Sequence, residues 1–332
     1  MDTWKTKPVV LRGTGVKKYF PVNTGIGAKK YVKAVDGVDI EIHKGEIYGL
    51  VGETGCGKST LGRTLMLLTE PTAGSIEVLG KDITRLKGKE QKEMRRKFQM
   101  VFQDPYTSLD PKEKVGDILM EALEIHGIGD PKTRLDTAME IMHQVGLRPE
   151  HFYRYPHEFS GGQRQRVGLA RALILNPEII VCDEPVSALD VSIQAQIINL
   201  LQDLREQHDI SFLFIAHDMS VVKYISDRIG VMYLGHMMEE ADEEELFKET
   251  LHPYAKALLS AVPEVNPHIH KERIMLTGEL PSPMNPPSGC VFHTRCPYAT
   301  ERCANVVPVL REIKPGHKVA CLKYEEGGLS AG

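Results

Sequence analysis

The stretch Gly52-Glu53-Thr54-Gly55-Cys56-Gly57-Lys58-Ser59 constrains this chain more than any other. It fits G-x-x-x-x-G-K-[ST], a pattern whose glycines let successive backbone N–H groups turn inward on a phosphate. The apolar run before it, Glu46 to Val51, reads as a buried strand, and the run after it, Thr60 to Leu68, reads as a helix. The motif needs that context, because the helix N-terminus adds a dipole favourable to anions. Lys58 then supplies a point charge for the β- and γ-phosphates, and Ser59 offers a hydroxyl to Mg²⁺. Thr60 extends the phosphate-binding segment into the helix.

The rest of the composition narrows the class. The chain has 332 residues, room for one large domain and a smaller one, and a formal net charge of −4. That charge gives no support to a nucleic-acid partner. No apolar run approaches the about 18 residues needed to span a bilayer. The start, Met1-Asp2-Thr3-Trp4-Lys5, lacks the apolar core of a signal peptide. The expectation is a protein made and kept in the cytosol, with any membrane role supplied by a partner. Four of the six cysteines lie between Cys290 and Cys321. In a reducing compartment such a cluster suggests a metal more than disulfides.

In chain order, residues 9–78 alternate short β-like runs with turns, and Tyr19 and Phe20 are aromatic residues that could stack on an adenine ring or pack in a core. Val101 and Phe102 end a strand, and Gln103 leaves it for a loop broken by Pro105. Residues 115–146 read as helical, with Asp130-Pro131 as an N-terminus and Leu135, Met139, Met142 and Val145 at helical spacing. Ser160 is a candidate N-cap for a helix opened by Gly161, Gly162 and Gln163, and two glycines at a helix start leave N–H groups open to an anion. Ile179 to Cys182 form an apolar strand that ends in Asp183 and Glu184. Adjacent carboxylates there repel unless a cation or a mobile proton is present. Asp183 fits a Mg²⁺ partner, and Glu184 a group that polarises attacking water. Ser187 to Asp190 follow at once. Ser211 to Ala216 form another buried strand, with His217 at its C-terminal end, the edge where open α/β sheets bind ligands. After about Leu251 prolines become dense, including Pro263, Pro267, Pro281 and Pro283, and the cysteines follow. A domain boundary is expected near 250, and the glycine-rich tail after Tyr324 is expected to fray.

The ordered set of phosphate loop, Gln103, Ser160-Gly161-Gly162-Gln163, Asp183-Glu184, Ser187 to Asp190 and His217 resembles the ATP-binding subunit of an ABC transporter over residues 8–250. Phe159 stands where that family usually has Leu. The resemblance implies an α/β P-loop NTPase core of the ABC type in residues 1–250. It carries an antiparallel β subdomain and a helical signature subdomain at about 105–165, followed by a small irregular cysteine-containing extension, 251–332. It implies ATP and Mg²⁺ as cofactors, Phe20 as the adenine-stacking residue with Tyr19 as the fallback, and His217 as a γ-phosphate contact. It also implies Asp190 among the ATP-binding positions and a head-to-tail dimer in which Ser160, Gly161, Gly162 and Gln163 meet ATP held by the partner. Gln103 would reach both Mg²⁺ and the groove that faces the permease.

Tyr31 to Val38, His252-Pro253-Tyr254 and Gly278-Glu279-Leu280-Pro281-Ser282-Pro283 resemble the dipeptide/oligopeptide importer ATPases, the F-type subunit more than the D-type. That family implies a second ABC ATPase, identical or not, two membrane permeases and an external solute-binding protein. It places the chain at the cytoplasmic face of the cell membrane, importing di- or oligopeptides or a related small solute. A soluble ABC ATPase of iron–sulfur assembly, DNA repair or translation is the alternative. Cys290, Cys296, Cys303 and Cys321 are separated by five, six and seventeen residues, without paired C-x₂-C knuckles or the compact ferredoxin run. Four soft ligands in a proline-rich segment suggest a metal that staples the fold. Relatives with this tail imply a [4Fe–4S] cluster of structural role, with Zn²⁺ as the alternative.

Overall fold

The computed structural model describes residues 3–22, 30–262, 273–276 and 278–325. Pro263, Pro267 and the glycine-rich tail from residue 326 lie outside the described residues. The strands are β1 (Val9–Val22), β2 (Lys30–His43), β3 (Ile47–Val51), β4 (Ala73–Val78), β5 (Lys81–Asp82), β6 (Phe98–Val101), β7 (Ile179–Asp183), β8 (Ser211–Ile215), β9 (Arg228–Tyr233), β10 (His236–Asp242), β11 (Arg311–Lys314) and β12 (His317–Val319). One sheet has the order β2-β1-β4-β5, the β subdomain expected from the family resemblance. The chain divides into two compact units, each assembled from three separate segments.

The first unit comprises residues 1–11, 42–46 and 77–215. Its strands β6, β7 and β8 run parallel in that order, with Phe98 opposite Ile179 and Ile179 opposite Ser211. Every residue of β7 and β8 is buried, which explains their unbroken apolar runs: both faces of a parallel sheet are covered, so no polar alternation is needed. The connection from β6 to β7 carries the helices Val115–Ile125, Pro131–Gln144 and Gly161–Leu173. Pro131–Gln144 begins as expected: Asp130 accepts the N–H of Thr133 at 2.8 Å, and Pro131 occupies the first turn, where a missing N–H costs nothing. Met142 and Val145 are buried, whereas Leu135 and Met139 are only half-buried, so this helix turns a narrower face to the core than its spacing suggests.

The second unit comprises residues 12–41, 47–76 and 216–332. Its strands run in the order β3-β9-β10-β12-β11. β3 is parallel to β9, with Val51 opposite Val231, and the remaining pairs are antiparallel. The segment after 251 was expected to be irregular, yet it adds β11 and β12 to this sheet. His317 and Val319 point inward with Lys318 between them, the period-two pattern of a strand with one covered face. Two buried carboxylates fix that join. Glu239 accepts the backbone N–H groups of Leu251 and His252 at 2.7 and 2.8 Å and lies 2.7 Å from His317 Nε2. Glu240 takes the Tyr48 hydroxyl at 2.7 Å and the Lys318 ammonium at 2.8 Å, with Arg228 at 3.5 Å. Burial alone would raise the Glu240 carboxyl, but Arg228, Lys318 and Tyr48 together hold it below its usual range.

Candidate nucleotide-binding site

In the second unit β3 delivers the chain into the phosphate loop. Gly52 and Gly57 have φ of +155° and +107°. A Cβ on Gly52 would lie 2.1 Å from the carbonyl oxygen of Met232, and one on Gly57 2.0 Å from that of Ala34, so no side chain fits at either position. Gly55, at φ +82°, faces open space. Lys58 starts the helix Lys58–Leu65, is buried, and donates from Nζ to the carbonyls of Gly52 at 2.8 Å and Glu53 at 3.1 Å. The ammonium is thus folded onto the loop that it would serve, on oxygens that phosphate can replace. Ser59 and Thr60 occupy the first turn and are half-buried, and Thr54 is exposed. Cys56 is buried, and burial pushes its thiol up, so it packs rather than reacts.

Near the end of β1, Phe20 is exposed, with the Lys18 ammonium 4.9 Å from its ring centre. Tyr19 is committed elsewhere: its hydroxyl donates to Asp36 at 2.5 Å and Lys33 sits 5.7 Å from its ring. Of the two rings, Phe20 is the more exposed. His217 is exposed just before the helix Met219–Ile225, which Asp218 caps by accepting the N–H of Ser220.

The first unit holds the remaining expected residues. Asp183 ends β7 fully buried. Glu184 follows with φ +48°, a left-handed backbone that a residue with a Cβ adopts at a cost and that recurs at functional sites. Its side chain accepts the amide of Gln103 at 2.8 Å, so the structure brings these two predicted residues together. Its carbonyl accepts the N–H and hydroxyl of Ser187 at 3.3 and 3.1 Å. Asp190 caps the helix Val191–His208 by accepting the N–H of Ile193 at 3.0 Å and the Ser192 hydroxyl at 2.8 Å, bonds that hold its carboxyl below the usual range. Ser160 and Gln163 close a capping box on Gly161–Leu173, at 3.3 and 3.0 Å, so the Gln163 side chain is engaged in the cap. A Cβ on Gly162 would meet Ile193 Cγ2 at 2.5 Å, which fixes a close approach between these two helices.

Sequence reasoning missed three residues. Arg164 is buried, donates to the carbonyls of Pro156 at 2.6 Å and His157 at 3.2 Å, and lies 3.6 Å from the Tyr106 ring centre. Tyr254 accepts the backbone N–H of Glu53 at 2.8 Å, and Arg295 pairs with the Glu53 carboxylate at 2.9 Å. Only Tyr254 had a signal, the His252-Pro253-Tyr254 motif.

Cys290, Cys296, Cys303 and Cys321 line one cavity of about 290 Å³ with Phe292, His293 and Leu322. Burial, with the neighbouring thiols adding to it, pushes Cys290 up to about 11, and Cys296 and Cys321 also rise. Among the described residues, no three or more His, Cys, Asp or Glu side chains are grouped as a metal would require. The four sulfurs share the cavity without meeting that requirement.

Comparison with known proteins decides the family. Residues 35–187 match the ABC transporter family, and residues 238–303 match the oligopeptide/dipeptide transporter, C-terminal region. YkfD of Bacillus subtilis (strain 168) is 58% identical over 301 residues, 90% of this chain and 92% of that protein. The oligopeptide transport ATP-binding protein AppF of the same organism is 52% identical over 97% of this chain and 99% of its own. The dipeptide transport ATP-binding protein DppF of Haemophilus influenzae is 48% identical over 97% and 98%. The chain belongs to the ABC ATP-binding proteins of oligopeptide/dipeptide transport. Among solved structures, a dimeric ATP-binding cassette in a post-hydrolysis state bound to ADP and Pi superposes with a TM-score of 0.63 at 28% identity, covering 70% of this chain and 98% of that one. An ADP-bound cassette of an ABC transporter gives 0.60 at 28%, covering 77% and 96%. Membership in this ABC family removes the support for a soluble ATPase of iron–sulfur assembly, DNA repair or translation, because the matched C-terminal region is that of transporters. Among the described residues no helix is long and apolar enough to cross a membrane. Tyr254, Arg295 and three of the four cysteines fall within the transporter C-terminal match; Cys321 lies beyond it.

Proposed function

We propose that this chain is the ATPase subunit that powers import of di- or oligopeptides, or a related small solute. It would act at the cytoplasmic face of the membrane, with a second ABC ATPase, two permease subunits and an external solute-binding protein. The observation that carries the reading is one chain holding both a phosphate loop with Lys58 seated on its own carbonyls and a C-terminal region matching oligopeptide/dipeptide transporters.

In this reading Phe20 stacks on adenine, while Gly52, Glu53, Thr54, Gly55, Cys56, Gly57, Lys58, Ser59 and Thr60 form the phosphate cradle. Lys58 neutralises the β- and γ-phosphates. Asp183, buried at the end of an apolar strand, would hold Mg²⁺ with Ser59 and Gln103. Bound Mg²⁺ supplies positive charge against the charge developing on the transferred phosphoryl group. Glu184, oriented by Gln103, aligns the attacking water, and His217 contacts the γ-phosphate. Ser160, Gly161, Gly162 and Gln163 bind ATP held by the partner ATPase, with Asp190 supporting that surface. ATP binds the closed dimer better than the open one, and this difference in affinity turns the permease outward; hydrolysis and phosphate release reopen it. Co-purification of the tagged chain from membranes tests the assembly. The expected result is recovery of two permeases and a second ABC ATPase, and recovery of a soluble translation or repair complex instead would overturn the reading.

We also propose that Cys290, Cys296, Cys303 and Cys321 hold a metal centre of structural role, a [4Fe–4S] cluster before Zn²⁺. Their shared cavity supports this reading. Anaerobic purification is expected to give a brown protein with about four irons per chain, the content of that cluster type. A colourless protein with one zinc would keep the four-cysteine site and discard the cluster. Four freely titrating thiols in the folded chain would discard both.

A further inference from the structure

Glu53, the second residue of the phosphate loop, is held at three points. Its carbonyl accepts the Lys58 ammonium at 3.1 Å. Its backbone N–H donates to Tyr254 Oη at 2.8 Å. Its two carboxylate oxygens lie 3.1 and 2.9 Å from one nitrogen of Arg295, Nη1. The last two anchors come from the C-terminal extension, from residues some two hundred positions away. Both are themselves fixed. Tyr254 is fully buried, with its ring 4.7 Å from Tyr233 and 5.4 Å from Phe292, centre to centre. Tyr233 and Phe292 meet edge to face at 5.2 Å, and the Arg295 Nη1 also reaches the Tyr233 hydroxyl at 3.5 Å. Phe292 and Arg295 both lie between Cys290 and Cys296, so the segment that lines the cysteine cavity is the one that grips the phosphate loop.

The electrostatics give this grip a consequence. A carboxylate in a phosphate loop faces the negative charges of any nucleotide that enters. The Arg295 side chain is 9% exposed and that of Glu53 25%, so water screens the pair less than it would a surface pair. Arg295 cancels a charge that would otherwise repel the nucleotide. Tyr254 pins the loop from the side of Glu53, whose carbonyl also accepts the N–H of Cys56 at 3.2 Å.

We infer that Arg295 and Tyr254 are positioning residues of the nucleotide site, through which the C-terminal extension sets the affinity for ATP by neutralising and orienting Glu53. This rests on the reading of Gly52 to Ser59 as the ATP site.

The test is a double-mutant cycle on the full chain, with equilibrium binding of Mg²⁺–AMP-PNP as the readout and thermal melting as the check of folding. Lys58→Ala tests the underlying reading: unchanged binding by that variant would remove the ATP site itself. With that control passed, Arg295→Met is expected to weaken nucleotide binding about tenfold, within the usual span of coupling between sites. In the Glu53→Gln background, where there is no charge left to cancel, Arg295→Met is expected to change binding less than about threefold. In the assembled transporter Arg295→Met should raise KM for ATP by the same factor and leave kcat unchanged. An equal loss in both backgrounds would place Arg295 in packing, and no loss in either would show the pair to be idle; each result overturns the inference. Should Arg295→Met not fold, Arg295→Lys keeps the charge on a similar stem. It is expected to bind within about threefold of wild type, and a tenfold loss would assign the effect to shape instead of charge.

Discussion

At the scale of single residues, Glu184 is the position on which the chemistry turns. It combines a left-handed backbone, a carboxylate tied to Gln103 at 2.8 Å and a place directly after the buried Asp183. Glu184→Gln keeps the shape and the capacity to bond Gln103 but removes the negative charge. Turnover is expected to fall by roughly 10²–10⁴, the usual worth of a positioned acid–base group. Nucleotide binding should survive, and an ATP-bound dimer should accumulate, visible by size-exclusion chromatography with ATP. Steady-state hydrolysis at the wild-type rate would remove Glu184 from the role. His252 gives a second prediction at this scale. Complete burial pushes its imidazole from 6.5 down to about 3, and its Nδ1 accepts the N–H of Tyr254, so it is neutral in the fold. The unfolded chain takes up that proton below pH 6.5 and the native chain does not until about 3. The contribution of His252 to stability is therefore complete above 6.5 and lost progressively as pH falls toward 3. Melting temperature followed across that range should decline, and His252→Asn, which keeps an acceptor for Tyr254 N–H without a titrating group, should flatten the decline.

At the scale of elements, the signature helix Gly161–Leu173 shows what a sequence discloses and what it withholds. Its start was legible, because Ser160 followed by two glycines and Gln163 is a local pattern and the capping box is a local interaction. The reason for Gly162 was not legible: it lies in Ile193, about thirty residues on, whose Cγ2 occupies the space a Cβ would need. Gly162→Ala is expected to force the two helices apart and reduce ATP-dependent dimerisation, while Ser160→Ala should cost about 1 kcal/mol of stability through the lost cap. Dimerisation by Gly162→Ala at the wild-type nucleotide concentration would show that the close approach is not needed. The helix Pro131–Gln144 repeats the lesson. Asp130 and Pro131 announced its start, but the half-burial of Leu135 and Met139 depends on which neighbours cover that face.

At the scale of the whole molecule, the phosphate loop, the strand ends with Asp183 and His217 and the change of composition after 251 could be read from the chain because each is a short-range pattern. Gly52 and Gly57 are the clearest case, since the backbone oxygens of Met232 and Ala34 leave no room for a side chain. Arg164, Arg295 and the strands β11 and β12 could not be read, because their partners become neighbours only when distant segments return. Arg295 looks like any charged residue until it is placed against Glu53, 242 positions earlier. The same holds for the cysteines: their crowding suggested a common site, but spacing alone does not fix where the sulfurs point, and among the described residues they form no metal-ligating group. If ATP sites are shared between two such subunits, activity of the isolated chain should rise steeply with concentration or on adding its partner ATPase. A specific activity independent of concentration would contradict sharing.

ATP turnover in this chain is proposed to drive solute import through permeases. The most direct measurement is uptake of labelled di- and oligopeptides into proteoliposomes holding the permeases, both ATPase subunits and ATP on the side of the ATPases, with the matched solute-binding protein on the other side. Uptake is expected to require ATP and to be abolished by Glu184→Gln in this chain. Uptake at the wild-type rate by the Glu184→Gln complex, or ATP hydrolysis with no uptake of any peptide or related small solute, would contradict it.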